Sequence, residues 1–325
     1  MIIDTHTHVW FALEQLGREM AARLRVTQAD RWGQFDASPA AHEREMACVD
    51  AAVVIGFRSE RLGAGIPNEY VADFVARDPR RRIGIGGVDP LATDAAAEIE
   101  RVAQLGLSGI AVCPANQGFH PAHSAAMRVY ERCVDLTMPL FVSVGSPPTA
   151  SSQLEFARPS LWDEVARNYP NMPIVIGELG HPWIDETLVL LQKHDNVWAD
   201  ISGVASRPWQ LYNALLNASS LDVMGKLLFG SGFPFETPAK TIESLYSVNA
   251  FSQGTQLPAV PRSQIRGIVE RDTLTALGLD AIVPPPRAKD VEEVDVGAGP
   301  EVVVMDPASS RRVGPGPRPA TPPLQ

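Results

Sequence analysis

The chain has 325 residues, of which 45% are hydrophobic, enough to build the core of one large domain or of two ordinary ones. Its formal net charge of −10 argues against binding to nucleic acid or to an anionic membrane surface, because both require a basic patch. We therefore expect a small-molecule substrate and no nucleic-acid or membrane partner, while a homo-oligomer stays open.

The cysteines and the amino terminus predict a cytoplasmic protein. Cys48, Cys113 and Cys133 are odd in number and widely spaced, which predicts reduced thiols and no disulfide framework. The opening residues, MIIDTHTHVW, lack the basic and apolar regions of a signal peptide. No apolar run reaches the roughly 18 residues that a membrane helix needs.

Eight short runs of apolar and β-branched residues predict strands, and stretches with helical spacing separate them. The predicted strands are residues 2–5, 52–57, 82–88, 109–114, 139–145, 173–180, 197–203 and 226–229. The predicted helices are residues 39–48, 94–105, 124–136, 159–169, 183–194, 208–217, 237–247 and 262–277. Capping residues support several helices, such as Ser38 before the first, Gly106 after the second, and Thr237 followed by Pro238.

The pattern of strands predicts the fold class. Strands that are almost continuously apolar are buried on both faces, as in a parallel sheet. Eight of them alternating with helices predict an α/β fold, a closed (β/α)8 TIM barrel over residues 1–282, with an open doubly wound sheet as the less favoured alternative. No G-x-G-x-x-G follows the first strand, which disfavours a dinucleotide-binding sheet. Residues 283–325 are rich in proline and glycine and predict a disordered tail.

The first predicted strand leads into Asp4-Thr5-His6-Thr7-His8. Residues two apart in a strand point to the same side, so His6 and His8 can direct their imidazoles at one metal ion. The carboxyl end of a barrel strand is where enzymes of this fold place catalytic groups. By itself, a His-x-His pair is also consistent with two hydrogen-bonded polar side chains.

Several segments, in order along residues 1–279, resemble the amidohydrolase-related superfamily, in the branch with metal-dependent decarboxylases and hydrolases of lactones and amides. They are DTHTH in the first strand, GIAVCPANQGFHP after the fourth, MPIVIGELGHPW in the sixth, HDNVWADISG in the seventh and LLFGSGFPFETP in the eighth. The resemblance implies one divalent metal ion, zinc in first place and manganese or iron otherwise. It also implies that His6 and His8 bind this metal together with a strand-5 histidine and a strand-8 aspartate, and that a strand-6 histidine assists proton transfer.

This chain departs from that pattern at three positions. Ser143, Glu178 and Gly232 stand where the resemblance implies the strand-5 histidine, the strand-6 histidine and the strand-8 aspartate. Serine is a poor zinc ligand and glycine offers no side chain. Glu178 can compensate as a third metal ligand or as a base, because two histidines and one carboxylate form a known metal-binding set. The alternative is that Glu178 pairs with an arginine and the pocket holds no metal.

Other residues near the expected mouth of the barrel are further candidates. His181, just after the sixth strand, can transfer a proton, although capping the helix that follows is its favoured role. Asp200 on the seventh strand is expected to make a structural hydrogen bond. The predicted substrate pocket consists of Trp10, His120, Ser143, Gly232 and Phe233.

Two classes of function follow from these residues. The favoured one is a metal-dependent hydrolase of an amide, lactone or ester bond, or less so a decarboxylase. In it, His6, His8 and Glu178 bind the metal, and Glu178 and His181 serve catalysis. The alternative is a catalytically impaired barrel that binds or regulates, because three usual site residues are replaced. The fold alone does not choose between them, since function belongs to the site.

Overall fold

A computed structural model describes residues 1–27, 35–145 and 147–279 of the chain. The predicted tail at residues 283–325 lies outside the described residues and stays a prediction. Within those residues, no helix combines the length and the apolar character that crossing a bilayer requires.

Eight parallel strands form one sheet in the order β1-β2-β5-β6-β7-β8-β9-β10. Together with a separate hairpin, β3–β4, the strands are β1 (Ile3–Thr7), β2 (Ala51–Ile55), β3 (Phe57–Ser59), β4 (Ala64–Ile66), β5 (Arg82–Gly87), β6 (Ile110–Val112), β7 (Leu140–Val142), β8 (Ile174–Ile176), β9 (Val197–Asp200) and β10 (Leu227–Leu228). The sheet closes where Thr5 N donates to Phe229 O at 2.9 Å and Gly232 N donates to His6 O at 2.8 Å. The predicted (β/α)8 barrel is therefore confirmed.

Helices occupy most of the connections between the strands. In the described residues they are α1 (Arg18–Thr27), α2 (Pro39–Glu45), α3 (Asn68–Ala76), α4 (Ala95–Gln104), α5 (Pro114–Gln117), α6 (Ser124–Asp135), α7 (Asp163–Asn168), α8 (Ile184–Lys193), α9 (Pro208–Ser220), α10 (Pro238–Ser247), α11 (Arg262–Val269) and α12 (Thr273–Ala276). Side-chain caps fix several of the starts, including the two that the sequence predicted. Ser38 Oγ accepts from Ala41 N at 3.3 Å, and Thr237 Oγ1 accepts from Lys240 N at 3.4 Å.

The alternation of side chains along each strand divides the core into two layers. In β2, Ala51, Val53 and Ile55 belong to a cluster inside the barrel, whereas Ala52 and Val54 pack with the helices. All five are buried, which explains why this strand is continuously apolar in the sequence.

A short segment around α12 closes one end of the barrel. Leu274, Leu277 and Leu279 are at most 2% exposed and join the inner cluster that also contains Ile3. Arg271 Nε donates to Leu227 O at 3.0 Å, which holds the segment at the amino end of β10. Among the described residues, these leucines plug the amino-terminal end of the barrel, and ligand sites of this fold lie at the opposite, carboxyl end.

The structure adds short elements that the periodicity did not predict and shortens others. The hairpin β3–β4 and helix α3 lie between the second and third barrel strands, and α1 follows β1. The predicted strand at residues 173–180 stops at Ile176, because Glu178 and Leu179 take left-handed conformations with φ of 53° and 51°. The predicted helix at 262–277 is divided into α11 and α12.

Candidate active site at the carboxyl end of the barrel

A cavity of about 90 Å³ lies at the carboxyl ends of the barrel strands. Its polar lining consists of His6, His8, Cys113, Asn116, Ser143 and Asp200. Apolar side chains of its wall include Trp10, Leu16, Met20, Phe57, Phe141 and Phe235. A largely apolar wall with a few converging polar groups is typical of a small-molecule site.

His6, at the carboxyl end of β1, is held by the last residue of β9 and by a serine two residues further on. Its Nδ1 lies 2.9 Å from Asp200 Oδ2 and 3.0 Å from Ser202 Oγ. Gly177 allows the ring this position, because a Cβ added there would lie only 3.2 Å from His6 Cε1. With Nδ1 engaged, Nε2 is the ring nitrogen that can interact with a ligand in the cavity.

The Asp200 carboxylate is fully hydrogen-bonded although it is buried. It accepts from Ser202 N at 2.9 Å and from Glu178 N at 3.2 Å, in addition to the Ser202 hydroxyl and His6. Burial would raise the pKa of Asp200, but His6 and the hydrogen bonds hold that pKa below its ordinary value. Burial would lower the pKa of His6, yet the Asp200 carboxylate outweighs burial and raises it to about 9.

His8 is oriented by a different acceptor. Its Nδ1 lies 2.8 Å from the carbonyl oxygen of Ile55 at the end of β2. Because a carbonyl oxygen only accepts, Nδ1 carries the hydrogen and Nε2 carries the lone pair. Burial and the neighbouring His6 lower the pKa of His8 to about 3, so this imidazole is neutral near pH 7. The two rings lie 5.1 Å apart, centroid to centroid.

Glu178, the predicted third ligand, stands on a turn beside the cavity and is not part of its lining. Its carboxylate packs against Gly203, where an added Cβ would lie 2.9 Å from Glu178 Oε2. Across residues 1–27, 35–145 and 147–279, no three His, Cys, Asp or Glu side chains are grouped as a metal site. His6 and His8 are therefore two candidate metal ligands, and no third donor is assembled beside them in the described part of the chain.

The positions that depart from the family pattern lie in different surroundings. Ser143, after β7, lines the cavity, and its Oγ accepts from Gly145 N at 3.2 Å. Gly232 is not in the cavity lining; its φ is +75°, and an added Cβ would lie 3.3 Å from Ser202 Cβ. An aspartate side chain at position 232 would therefore meet both backbone strain and a close neighbour.

The remaining pocket candidates divide between the cavity and its surroundings. Trp10 lines the cavity beside Phe235, with ring centroids 6.1 Å apart. Phe233 instead packs edge-on against His42 behind β1, which explains why it does not reach the cavity. His120 is exposed, and its Nδ1 accepts from the backbone of residue 122.

His181, the proposed proton-transfer residue, lies outside the cavity lining. It is half-buried, and its pKa is lowered by burial and by the nearby Arg207. The geometry gives His181 no contact with the imidazole pair and leaves its proton-transfer role a prediction.

Asp200 makes the structural hydrogen bonds expected of it, whereas Asn116, Phe57 and Phe141 were not predicted as cavity residues. The sequence did indicate that Asp200 and Ser202 act together, because side chains two residues apart at the end of a strand can face the same way. Phe57 was predicted as the last residue of the second strand, whereas that strand ends at Ile55 and Phe57 begins the unpredicted hairpin β3–β4.

One family model and several solved structures resemble this chain. A family model described as Amidohydrolase matches residues 3–266. No curated protein sequence matches the chain significantly. Among solved structures, a probable 2-pyrone-4,6-dicarboxylic acid hydrolase from Acinetobacter baumannii is 16% identical with a TM-score of 0.57, covering 85% of this chain and 99% of that chain.

Two further solved structures share the fold. An amidohydrolase from Burkholderia multivorans with bound zinc is 14% identical with a TM-score of 0.61, covering 86% of this chain and 99% of that chain. The 5-carboxyvanillate decarboxylase of Sphingomonas paucimobilis is 16% identical with a TM-score of 0.59, covering 85% of this chain and 98% of that chain. At these identities the likeness shows the barrel fold alone.

Proposed function

The chain belongs to the amidohydrolase family, as its motifs predicted, and on that premise we propose that it hydrolyses an ester, lactone or amide bond of a small organic molecule. The observation that carries the proposal is the pair of imidazoles at the cavity. Both His6 and His8 have Nδ1 bound to an oxygen acceptor, so both offer Nε2 to a ligand. Such anchoring of Nδ1 is typical of histidines that bind a metal or act on a substrate.

The chain's own residues perform three tasks in this proposal. Asp200 and Ser202 fix the ring of His6, and the Ile55 carbonyl fixes the ring of His8. The apolar wall excludes bulk water from the cavity, apart from the one molecule that hydrolysis consumes, and so strengthens the polar contacts made there. His6 and His8 would hold a divalent metal, which when bound supplies Lewis-acid polarisation of the substrate carbonyl. We propose Glu178 as the ligand that completes the set.

Hydrolysis is tested by measuring acid release from a panel of neutral aryl esters, lactones and amides, with and without added zinc or manganese. We expect His6→Asn and His8→Asn to lower any activity found by at least about 100-fold, because each removes an oriented imidazole. His123→Gln is the matched control, since His123 is exposed and caps α6. Equal activity in all three variants would exclude this site as the place of reaction.

A second candidate is a barrel that binds a small molecule without turning it over. It is favoured by the lack of a three-donor group among the described residues and by the conformation of Gly232, which disfavours the usual aspartate. In that case ligands would raise the melting temperature of the protein while no panel compound is cleaved. Retention of this stabilisation in His6→Asn would favour the binding protein over the hydrolase.

A further inference from the structure

The cavity wall beyond the imidazole pair carries no cationic side chain. Among the described residues that line it, none is a lysine or an arginine. The wall opposite the polar groups is instead built from Trp10, Phe57, Phe141 and Phe235, with Met20 from α1. A ligand that fills this space therefore meets aromatic and aliphatic surface away from its reacting group.

Three described arginines outside the cavity lining donate to other groups. Arg61 Nη1 donates to the carbonyl oxygen of Ser151, and Arg23 Nη1 donates to that of Pro148. Arg58 Nη2 donates to Asp94 Oδ1 at 2.8 Å on the outer side of the hairpin β3–β4. Each cation thus has an acceptor outside the cavity, and none is part of the cavity lining.

The His6 imidazole and the Asp200 carboxylate in the cavity lining are already paired with each other. Asp200 is a buried carboxylate whose oxygens are taken up by His6, Ser202 and the backbone of Glu178. A ligand carboxylate placed against the aromatic wall would lose its hydration without gaining a cationic partner. Burying an unpaired ionised group costs several kcal/mol, enough to exclude such a ligand at ordinary concentrations.

We infer that the substrate is a small ring compound that is uncharged apart from its reacting group, an inference that rests on the proposed function. The volume of about 90 Å³ agrees with a small ligand, being well below the roughly 300–1,000 Å³ of pockets for drug-sized molecules. A dicarboxylate of the kind named for the Acinetobacter baumannii protein falls outside this class.

The test uses two ligands without a cleavable bond, so that binding is measured apart from catalysis. They are 1-indanone and its ring carboxylate, 1-oxoindane-5-carboxylate, titrated calorimetrically into the full-length protein. We expect 1-indanone to bind saturably and the carboxylate to bind at least about 10-fold more weakly. Equal or tighter binding of the carboxylate, or no saturable binding of either, would overturn the inference.

A matched pair of variants places the effect in the cavity. Phe235→Arg adds a cation to the wall, and Phe251→Arg adds the same charge to a distant aromatic patch beside Trp209. The two phenylalanines are 40% and 36% exposed, so the substitutions are comparable. We expect Phe235→Arg alone to gain at least about 10-fold in affinity for the carboxylate. An equal gain in Phe251→Arg would contradict the inference.

The outcomes separate this inference from the proposed hydrolysis. Binding of 1-indanone with no cleavage of the ester panel supports the ligand class and counts against the hydrolase. Cleavage of panel compounds together with preferred binding of the carboxylate supports the hydrolase and overturns the ligand class.

Discussion

The two sides of the barrel mouth are built in different ways. On the side of β1 and β9, His6 and Asp200 are buried and their hydrogen bonds are satisfied by neighbouring groups. On the side of β7 and β8, Ser143 and Glu178 stand where the family resemblance implies two histidines. The orientation of the two imidazoles thus does not depend on the family's full set of metal ligands. The chemistry of this protein therefore depends first on the residues of the β1–β9 side.

The largest expected effect comes from breaking the β1–β9 side at its carboxylate. Asp200→Asn removes the charged partner of a buried imidazole, which costs about 3–5 kcal/mol when a buried ion pair loses one member. Urea unfolding of Asp200→Asn, compared with wild type, measures this loss. Asp195→Asn is the control, because Asp195 is fully exposed and should change stability by less than about 0.5 kcal/mol. A loss below about 1 kcal/mol would show that the pair contributes little.

A smaller effect is expected where the two sides touch at Gly177. An added Cβ at this position would lie 2.9 Å from Val142 O and 3.2 Å from His6 Cε1. Gly177→Ala should therefore cost about 1–3 kcal/mol of unfolding free energy and displace the His6 ring. Gly225→Ala tests the alternative that any alanine here is harmful, since a Cβ at 225 meets nothing within 4 Å. Similar stabilities for the two variants would contradict the close approach.

The β7–β8 side is tested through metal affinity. If Glu178 completes the ligand set, Glu178→Gln should weaken zinc binding by at least about 10-fold, as measured by competition with a chelating dye. His8→Asn should abolish the binding, because it removes one of the two histidines that line the cavity. Unchanged affinity in Glu178→Gln would leave the metal to the histidines alone. A wild-type protein that takes up no zinc, manganese or iron would favour the binding barrel.

The last prediction concerns how the folding stability of the metal-free protein depends on pH. The folded pKa of His6, about 9, is higher than its ordinary value of 6.5, so folding favours the protonated imidazole. The stabilisation is complete below pH 6.5 and is lost as the pH rises to about 9, with a slope of at most about 1.4 kcal/mol per pH unit for one proton. Asp200→Asn should flatten this alkaline slope. An identical slope in the variant would assign the titration to another group.

Much of the barrel could be predicted from the sequence, because its strands are buried on both faces and read as apolar runs. The strand at 82–88 was predicted to within a residue of β5, Arg82–Gly87. The hairpin β3–β4 was missed because its strands have three residues each, too few for a periodic signal. The family resemblance was confirmed by the match over residues 3–266.

The site was less predictable, since it depends on where side chains turn after each strand ends. His6 and His8 were found because both lie in or next to a regular strand. Glu178 was expected to face them by strand position, but β8 ends at Ile176 and a left-handed turn carries the carboxylate to Gly203. Backbone conformations of this kind leave no periodic trace in a sequence.

The leucine plug at the base of the barrel has a consequence for protein engineering. Ile3 and Leu279 belong to the same inner cluster, so both residues lie at the base of the barrel, away from the cavity. A short linker joining the two ends, with new termini opened in the exposed loop at residues 253–259, would make a circular permutant with an unaltered mouth. The same arrangement allows a fluorescent or affinity fusion at the base without obstructing ligand entry.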